Sequence, residues 1–305
     1  MSSTGQHIPL ETPLRFVHLS DLHFATPSLR LQDFLSKRWI GNLNAIISRK
    51  NEFITERLNP LVDFFKKLQV GYVVISGDLS TTSHEKEFVK AQEFVKNLSA
   101  EKMQVFTLPG NHDHYTKKAF KQRLFYDYFE TAPTEQLDSS FNLKEHGVSM
   151  NFLGKNWWLA CLDTSLATSL ISSRGCFSQE LEMRLEEALS SVPSDHKIMM
   201  ANHFPFFNHD NPRKMLVGGK RLQKLLLRYP NVKLYLHGHT HRHCLADLRV
   251  SGLPIILDSG STTHRELGTW NLIEISPSQC TVQVFKWNPL ASPPWELSKQ
   301  ASFKW

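Results

Sequence analysis

Five short groups of metal-ligating residue types occur in order along this chain. They are Asp21-Leu22-His23, Gly77-Asp78, Gly110-Asn111-His112-Asp113, Asn202-His203 and Gly238-His239-Thr240-His241. Carboxylate, amide and imidazole groups supply oxygen and nitrogen donors that suit Mn, Fe or Zn, whereas a thiolate site would need clustered cysteines and the cysteines here are scattered. The alternative is five unrelated loops with satisfied polar residues. The ordered set predicts a hydrolytic site with two metal ions, although each group alone occurs by chance in many chains.

A short apolar run typical of a strand precedes each of these groups. The runs cover residues 15–20, 72–76, 105–108, 197–201 and 232–236. The predicted ligands therefore fall on loops at strand ends, where a rigid α/β sheet can direct several loops to one point.

Helical patterns and further strands fill the rest of the chain. Helices are predicted over residues 54–68, 85–98 after a Ser83 cap, 115–129 with a Thr116 cap, 179–189 after a Ser178 cap, and 218–229. Closing strands are predicted over residues 253–257, 269–275 and 281–287.

The order D-x-H, G-D, G-N-H-D, single His and G-H-x-H resembles the signature of the calcineurin-like metallophosphoesterase superfamily, from Asp21 to His241. The resemblance implies an α/β fold, a four-layer sandwich of two mixed β-sheets flanked by helices, with a dinuclear metal site at the strand ends. The ligands that it implies are Asp21, His23, Asp78 and His241 for one divalent ion, and Asp78, Asn111, His203 and His239 for the other. Asp78 would bridge the two ions.

A two-metal site suits attack on a phosphoester or a pyrophosphate. Two cations about 3.5–4 Å apart can bind both the attacking and the leaving oxygen of an in-line displacement. Coordination also lowers the pKa of water, to about 7 in the best-studied zinc case, so no protein nucleophile is required. In the family pattern His112 lies over the substrate as the general acid, and Asp113 is placed to orient it or to stabilise its charge. We interpret the neighbouring His237 and His243 as structural or supporting groups.

Length and composition indicate the domain count and the cellular location of such an enzyme. The chain has 305 residues, of which 41% are hydrophobic, so a single domain over residues 1–305 is the simplest interpretation. No apolar stretch approaches bilayer-spanning length and the first residues lack a signal-peptide pattern, which predicts a cytoplasmic protein.

The formal net charge of +6 favours an acidic partner such as an anionic lipid or a nucleotide, although a solvated basic surface explains it equally well. No nucleic-acid motif is present, so we expect no nucleic-acid partner, and we infer no obligate protein partner.

Three segments combine basic residues with large apolar ones. Residues 24–60 and 114–140 are predicted lips or caps beside the site, and residues 287–305 form an aromatic, Pro-rich tail. The aromatic residues of 114–140 cannot all occupy one core stripe, so we expect some of them to line an apolar groove, a partner surface or a membrane-facing patch. The tail suits either a bilayer interface or packing against the body of the protein.

One stretch of sequence indicates a particular substrate. Residues 36–44, Ser-Lys-Arg-Trp-Ile-Gly-Asn-Leu-Asn, and the complete G-N-H-D motif resemble the chlamydial type of enzyme that cleaves UDP-2,3-diacylglucosamine in lipid A biosynthesis. The better-known branch with this activity carries Arg at the position of His112, which argues against membership of that branch. The resemblance implies hydrolysis at the α-phosphorus to UMP and 2,3-diacylglucosamine 1-phosphate, with Mn as the expected metal and Fe or Zn as alternatives.

Such a nucleotide-sugar lipid would place the enzyme in peripheral contact with the anionic inner membrane face. The candidate substrate contacts, chosen from composition, are Arg38, Trp39, Lys117, Phe120 and Phe125. A soluble cyclic-nucleotide or general phosphodiesterase would use the same ligands and His112, with the aromatic segments buried. A metal-free scaffold is disfavoured because every ligand position is filled.

Overall fold

Parallel strands that end at the predicted ligand groups form the middle of two sheets. The computed structural model describes residues 13–26, 52–129, 141–167, 172–207 and 211–305. The strands are β1 (Leu14–Leu19), β2 (Tyr72–Ile75), β3 (Gln104–Thr107), β4 (Val148–Gly154), β5 (Trp157–Leu162), β6 (Gly175–Cys176), β7 (Lys197–Asn202), β8 (Leu216–Val217), β9 (Val232–His237), β10 (His243–Asp247), β11 (Ile255–Ser259), β12 (Thr269–Ile275), β13 (Gln279–Trp287) and β14 (Trp295–Lys304). The α-helices are α1 (Asn59–Lys67), α2 (Glu85–Ala100), α3 (Lys117–Gln122), α4 (Leu143–His146), α5 (Gln179–Ser190) and α6 (Gly219–Arg228). Short 3-10 helices cover Thr55–Leu58, Leu124–Asp127 and Arg249–Ser251.

The first sheet carries the first three ligand groups. Its strand order is β14-β13-β12-β1-β2-β3, in which β1, β2 and β3 are parallel and the other pairs are antiparallel. Leu19 lies opposite Ile75, and Ile75 lies opposite Thr107, so the three parallel strands end level with one another. The three loops that follow therefore leave the sheet side by side.

The second sheet carries the other two groups. Its strand order is β10-β11-β9-β7-β5-β4, with β11, β9, β7 and β5 parallel. The adjacent strands β7 and β9 end at Asn202 and His237, directly before the lone histidine and the G-H-x-H group. β6 and β8 form a separate two-stranded parallel sheet.

Alternation along β9 explains how the layers pack. Leu236 belongs to a buried apolar cluster that also contains Phe16 of the first sheet and Phe65 of α1. The neighbouring Tyr235 belongs instead to a second cluster, which it shares with Leu225 of α6. Successive side chains of a strand point to opposite faces, so burial of both faces fixes the order helices, sheet, sheet, helices. The predicted four-layer α/β sandwich of mixed sheets is confirmed.

The structure confirms two predicted helix caps. Thr116 Oγ1 accepts a hydrogen bond from Ala119 N at 3.1 Å at the start of α3. Ser178 Oγ accepts one from Leu181 N at 3.1 Å at the start of α5. Each hydroxyl satisfies one of the amide groups that the first helical turn leaves without a partner.

The predicted cap of α2 was assigned to the wrong residue. His84 is the cap, because its Nδ1 accepts from Lys86 N at 3.1 Å while Glu87 Oε2 accepts from His84 N at 3.2 Å. The Ser83 hydroxyl instead donates to the carbonyl oxygen of His112 at 2.9 Å. Ser83 therefore ties the loop before α2 to the third ligand group.

The predicted tail is largely a strand. Residues 295–304 form β14, which pairs with β13 at the edge of the first sheet. Trp295 is buried, and Trp305 Nε1 donates to Ser276 O at 3.0 Å while its ring lies 5.2 Å from that of Trp157. The tail therefore packs against the body of the protein, which was one of the two alternatives predicted for this segment.

Across the described ranges, no helix combines the length and apolar character needed to cross a bilayer.

The described half of the predicted 114–140 lip contributes to the core. α3 ends after Gln122, earlier than the predicted run to residue 129, because Arg123 adopts a left-handed backbone with φ of 51°. The ring of Phe125 is fully buried and lies 4.8 Å from that of Phe129. Phe125 was expected to contact substrate, and this assignment is corrected because the side chain has no exposed surface. Residues 27–51 and 130–140 of the two predicted lips lie outside the described residues.

Phe125→Ala should lower the free energy of unfolding by about 3–5 kcal/mol, because it removes a buried aromatic ring and leaves a cavity. Urea denaturation followed by circular dichroism measures this change. Leu290→Ala is the matched control, since Leu290 is 94% exposed, and it should change stability by less than about 0.5 kcal/mol. Equal stability of the two variants would contradict the core assignment.

Candidate metal centre

The loops that carry the predicted ligands adopt an unusual backbone conformation. Asp21, His23 and Asp78 have φ values of 54°, 48° and 55°, and His239 and His241 have φ values of 69° and 56°. Non-glycine residues rarely adopt this left-handed region, and such strain concentrates at functional sites. The first two loops are joined along their backbones, since Asp21 N donates to Gly77 O and His23 N to Asp78 O, both at 3.0 Å.

The first predicted ligand set forms a compact cluster. Asp21 Oδ1 lies 3.1 Å from His241 Nε2 and 3.7 Å from His23 Nε2. His23 Nε2 lies 3.9 Å from Asp78 Oδ2. Each of these four residues offers one atom within 4.8 Å of the others, a separation that a single metal ion can span.

A second cluster shares one member with the first. His203 Nε2 lies 3.4 Å from Asp78 Oδ2, and Asp78, His203 and His239 offer ligand atoms within 4.8 Å of one another. The fourth predicted ligand, Asn111, is buried on the loop after β3. Asp78 belongs to both clusters, which is the position that a bridging carboxylate requires.

The donor atoms of these clusters fit divalent cations. Among the described residues, Asp21 Oδ1, Asn111 Oδ1 and His203 Nε2 are buried without a hydrogen-bond partner. Asp21 Oδ1 has imidazole nitrogens nearby but accepts no well-aligned hydrogen bond from them. Leaving a buried polar atom unsatisfied costs about 1–3 kcal/mol, and more for a charged group. Two cations bound here would satisfy these oxygen and nitrogen atoms together.

Backbone carbonyls set the tautomers of two histidines. His203 Nδ1 donates to Ser76 O at 2.8 Å, and His239 Nε2 donates to Lys214 O at 2.9 Å. Because a carbonyl oxygen can only accept, each of these nitrogens carries a proton, so the neutral form of each ring has its lone pair on the opposite nitrogen. Each ring is thereby oriented as a metal ligand.

Electrostatics keep both carboxylates ionised. Burial would raise the pKa of Asp21, but His241 and His23 hold it well below its usual range. Burial would also raise the pKa of Asp78, but His203 and His112 lower it. Burial would lower the pKa of His203, but Asp78 raises it to about 9 in the metal-free protein. Burial lowers the pKa of His239 to about 3, so this ring is neutral.

His112, the predicted general acid, lies beside the first cluster. Its backbone N donates to Asp78 Oδ1 at 2.7 Å, and its Nδ1 donates to Thr81 O at 2.7 Å. Its half-buried ring meets that of His23 edge-on, with centroids 4.9 Å apart.

Asp113 has a different position from the one expected. Its buried carboxylate accepts from Leu79 N at 3.1 Å, Gly110 N at 2.9 Å, and Ser80 N and Oγ at 2.7 and 2.9 Å. These donors belong to the second and third ligand loops. Of the two roles expected for Asp113, orientation of the His112 ring is corrected, because Thr81 O contacts that ring and Asp113 joins the two loops. Stabilisation of the His112 charge stays a prediction.

The predicted substrate contacts do not form one surface among the described residues. Lys117 is exposed and Phe120 half-buried on α3, whereas Phe125 lies in the core. Arg38 and Trp39 lie outside the described residues.

Phe53 is a residue of the site that sequence reasoning missed. Its ring centroid lies 4.3 Å from that of His23, 5.6 Å from that of His241 and 6.0 Å from that of His264. It therefore covers one side of the first cluster. A lone phenylalanine just before a helical pattern carries no sequence signal for this role.

Comparison with known families agrees with this geometry. Residues 14–243 match the calcineurin-like phosphoesterase family, so the chain belongs to this family. The family is named for action on phosphoesters. The family and the Asp/His clusters both indicate a dinuclear divalent-metal site.

Two curated relatives are named as phosphodiesterases. A probable glycerophosphodiester phosphodiesterase of Arcobacter nitrofigilis is 25% identical over 198 residues, which are 63% of this chain and 63% of that protein. A 3',5'-cyclic-nucleotide phosphodiesterase of Nostoc sp. is 23% identical over 75% of this chain and 72% of its own length. The match to the first relative thus covers less than two thirds of that protein.

Two solved structures share the fold. A dimetal phosphatase from Danio rerio superimposes with a TM-score of 0.65 at 11% identity, over 96% of this chain and 99% of that chain. A purple acid phosphatase from yellow lupin gives a TM-score of 0.59 at 13% identity, over 96% of this chain and 54% of that chain. At these identities the likeness establishes the fold alone.

Metal binding should release about one proton per chain near neutral pH, because a ligating imidazole must be neutral and His203 carries a proton below its pKa of about 9. The apparent affinity for Mn²⁺ should therefore rise with pH up to about 9 and then level off. Titration with Mn²⁺ in weakly buffered solution, followed with a pH electrode, measures the released proton. Binding that is tight and independent of pH across this range would contradict the assignment of His203.

Proposed function

We propose that this chain hydrolyses phosphoric diesters or pyrophosphates, with His112 as the general acid. The position of His112 carries this proposal. Its backbone bonds to the shared carboxylate Asp78, and its ring stands against His23 at the edge of the first cluster. Two bound cations would bind the phosphoryl oxygens and activate the attacking water.

The hydrogen bond of the His112 ring fits it for proton transfer. Because Nδ1 donates to Thr81 O, Nε2 is the nitrogen at which the ring gains and releases a proton. The leaving oxygen of a diester or pyrophosphate needs such a proton when the leaving group, once protonated, is only a weak acid. Protonation by a positioned imidazole is therefore the step that we assign to this residue.

We further propose that the substrate is UDP-2,3-diacylglucosamine, cleaved at its α-phosphorus to UMP and 2,3-diacylglucosamine 1-phosphate. The resemblance of residues 36–44 supports this choice. Lys214, whose carbonyl bonds to His239, has an exposed side chain, as has the adjacent Arg213. Phe207 is 38% exposed four residues after His203. Cationic and apolar groups close to the ligand strands suit an anionic lipid, and the enzyme would reach it by peripheral contact with an anionic membrane surface.

A second candidate follows from the curated relatives. Proteins named for the hydrolysis of glycerophosphodiesters and 3',5'-cyclic nucleotides match much of this chain. The burial of Phe125 also removes one of the expected acyl contacts. A small diester is therefore the alternative substrate class for the same ligands and the same acid.

His112→Gln should lower kcat by about 10²- to 10⁴-fold on a diester with an alkyl leaving group, while both metals stay bound. The loss should be much smaller with bis-p-nitrophenyl phosphate, because p-nitrophenolate leaves without a proton. Steady-state kinetics on the two substrates, with metal content measured on the same samples, make the test. An equal loss on both substrates would refute the acid role.

The substrate proposal is tested by Mn²⁺-dependent release of UMP from UDP-2,3-diacylglucosamine in anionic vesicles. Cyclic AMP, a glycerophosphodiester and bis-p-nitrophenyl phosphate are assayed in parallel, with Asp78→Ala as the metal-deficient control. We expect cleavage of the lipid to be the fastest and to depend on Asp78. Cleavage of the small diesters alone would leave the phosphodiesterase proposal standing and eliminate the lipid.

A further inference from the structure

Asp258 is a buried carboxylate that no metal-ligand motif includes. It lies on β11 directly opposite His237, the last residue of β9. Its Oδ1 accepts from Gly260 N at 2.8 Å, and its Oδ2 lies 3.3 Å from His237 Nδ1. The side chain is 0% exposed, so its oxygens depend on donors from the protein.

The shortest hydrogen bond of Asp258 is with Thr240. Thr240 Oγ1 donates to Asp258 Oδ2 at 2.6 Å. The same hydroxyl oxygen accepts from Arg242 N at 3.1 Å. Thr240 therefore anchors its turn in both directions, to the neighbouring strand and to the residue that follows the turn.

The position of Thr240 in the chain gives this anchor its importance. Thr240 stands between His239 and His241, which belong to the two different ligand clusters. Both histidines have left-handed backbones, with φ values of 69° and 56°. A turn with two strained residues keeps this conformation only when contacts with the surrounding structure offset the strain. The Thr240 hydroxyl and Asp258 supply such contacts from outside the metal cluster.

We propose that Thr240 and Asp258 form a positioning pair that fixes the turn carrying His239 and His241, and thereby sets the affinity of the chain for both metal ions. Neither residue belongs to the two ligand clusters, so the pair acts through the two histidines. His237, which flanks the same turn, donates its Nδ1 hydrogen to Gly238 O at 3.0 Å, and the same nitrogen lies 3.3 Å from Asp258 Oδ2.

Thr240→Val tests the pair, because valine keeps the shape of threonine and removes only the hydroxyl. The dissociation constant for Mn²⁺, measured by competition with a chelator, should rise by about 10- to 100-fold, the range found when groups that orient metal ligands are lost. Thr240→Ser retains the hydroxyl and should stay within about 3-fold of the unmodified protein. Asp258→Asn keeps one acceptor oxygen of two, so it should weaken Mn²⁺ binding in the same direction.

Thr281→Val is the matched control, since Thr281 is a half-buried threonine on β13 whose hydroxyl contacts Ser302 Oγ at 3.2 Å. It should leave the Mn²⁺ affinity unchanged. Thermal unfolding of the metal-free variants separates a positioning role from a general structural one. Unchanged Mn²⁺ affinity in Thr240→Val would overturn the proposal, whether or not that variant loses thermal stability. The titration uses Mn²⁺ alone, so its outcome does not depend on which phosphoester the enzyme cleaves.

Discussion

The desolvation of Asp21 and Asp78 is the constraint on which the rest of the site depends. Both carboxylates are buried in one small cluster, where an uncompensated anion is strongly unfavourable. Their compensation comes from His23 and His241 on one side and from His203 on the other, and two cations would complete it. These groups come from both sheets, so the strands of both sheets must end at the same place. The layered fold meets this requirement by packing the two sheets face to face.

Close approach of the loops places a second constraint on the sequence. A side chain at Gly110 would collide with the carboxylate and the backbone of Asp78. A side chain at Gly238 would likewise overlap Ser20 and the carboxylate of Asp21. The glycines of the G-N-H-D and G-H-x-H groups therefore have a steric function. Gly110 lets the loops after the neighbouring strands β2 and β3 touch, and Gly238 lets a loop of the second sheet touch a loop of the first.

The sequence predicts those parts of the molecule whose signals are local. Alternating and apolar runs locate the strands before each ligand group, and hydroxyl caps such as Thr116 and Ser178 locate helix starts. The cap of α2 could not be assigned in this way, because His84 is an uncommon cap and Ser83 is used by a distant loop. The burial of Phe125 and the contacts of Asp113 depend on residues that are remote in sequence. Composition therefore misplaced Phe125, and the family pattern did not predict the contacts of Asp113. The site residues themselves follow from motif order, whereas their tautomers and supporting carbonyls follow only from the fold.

The central claim is that this chain binds two divalent ions that share Asp78, and metal stoichiometry tests it most directly. Purified protein saturated with Mn²⁺ and freed of excess metal is analysed for bound metal per chain. We expect two ions per chain, and a marked loss of both in Asp78→Ala, because each cluster contains this carboxylate. One ion per chain in the unmodified protein, or two ions retained by Asp78→Ala with unchanged affinity, would contradict the account.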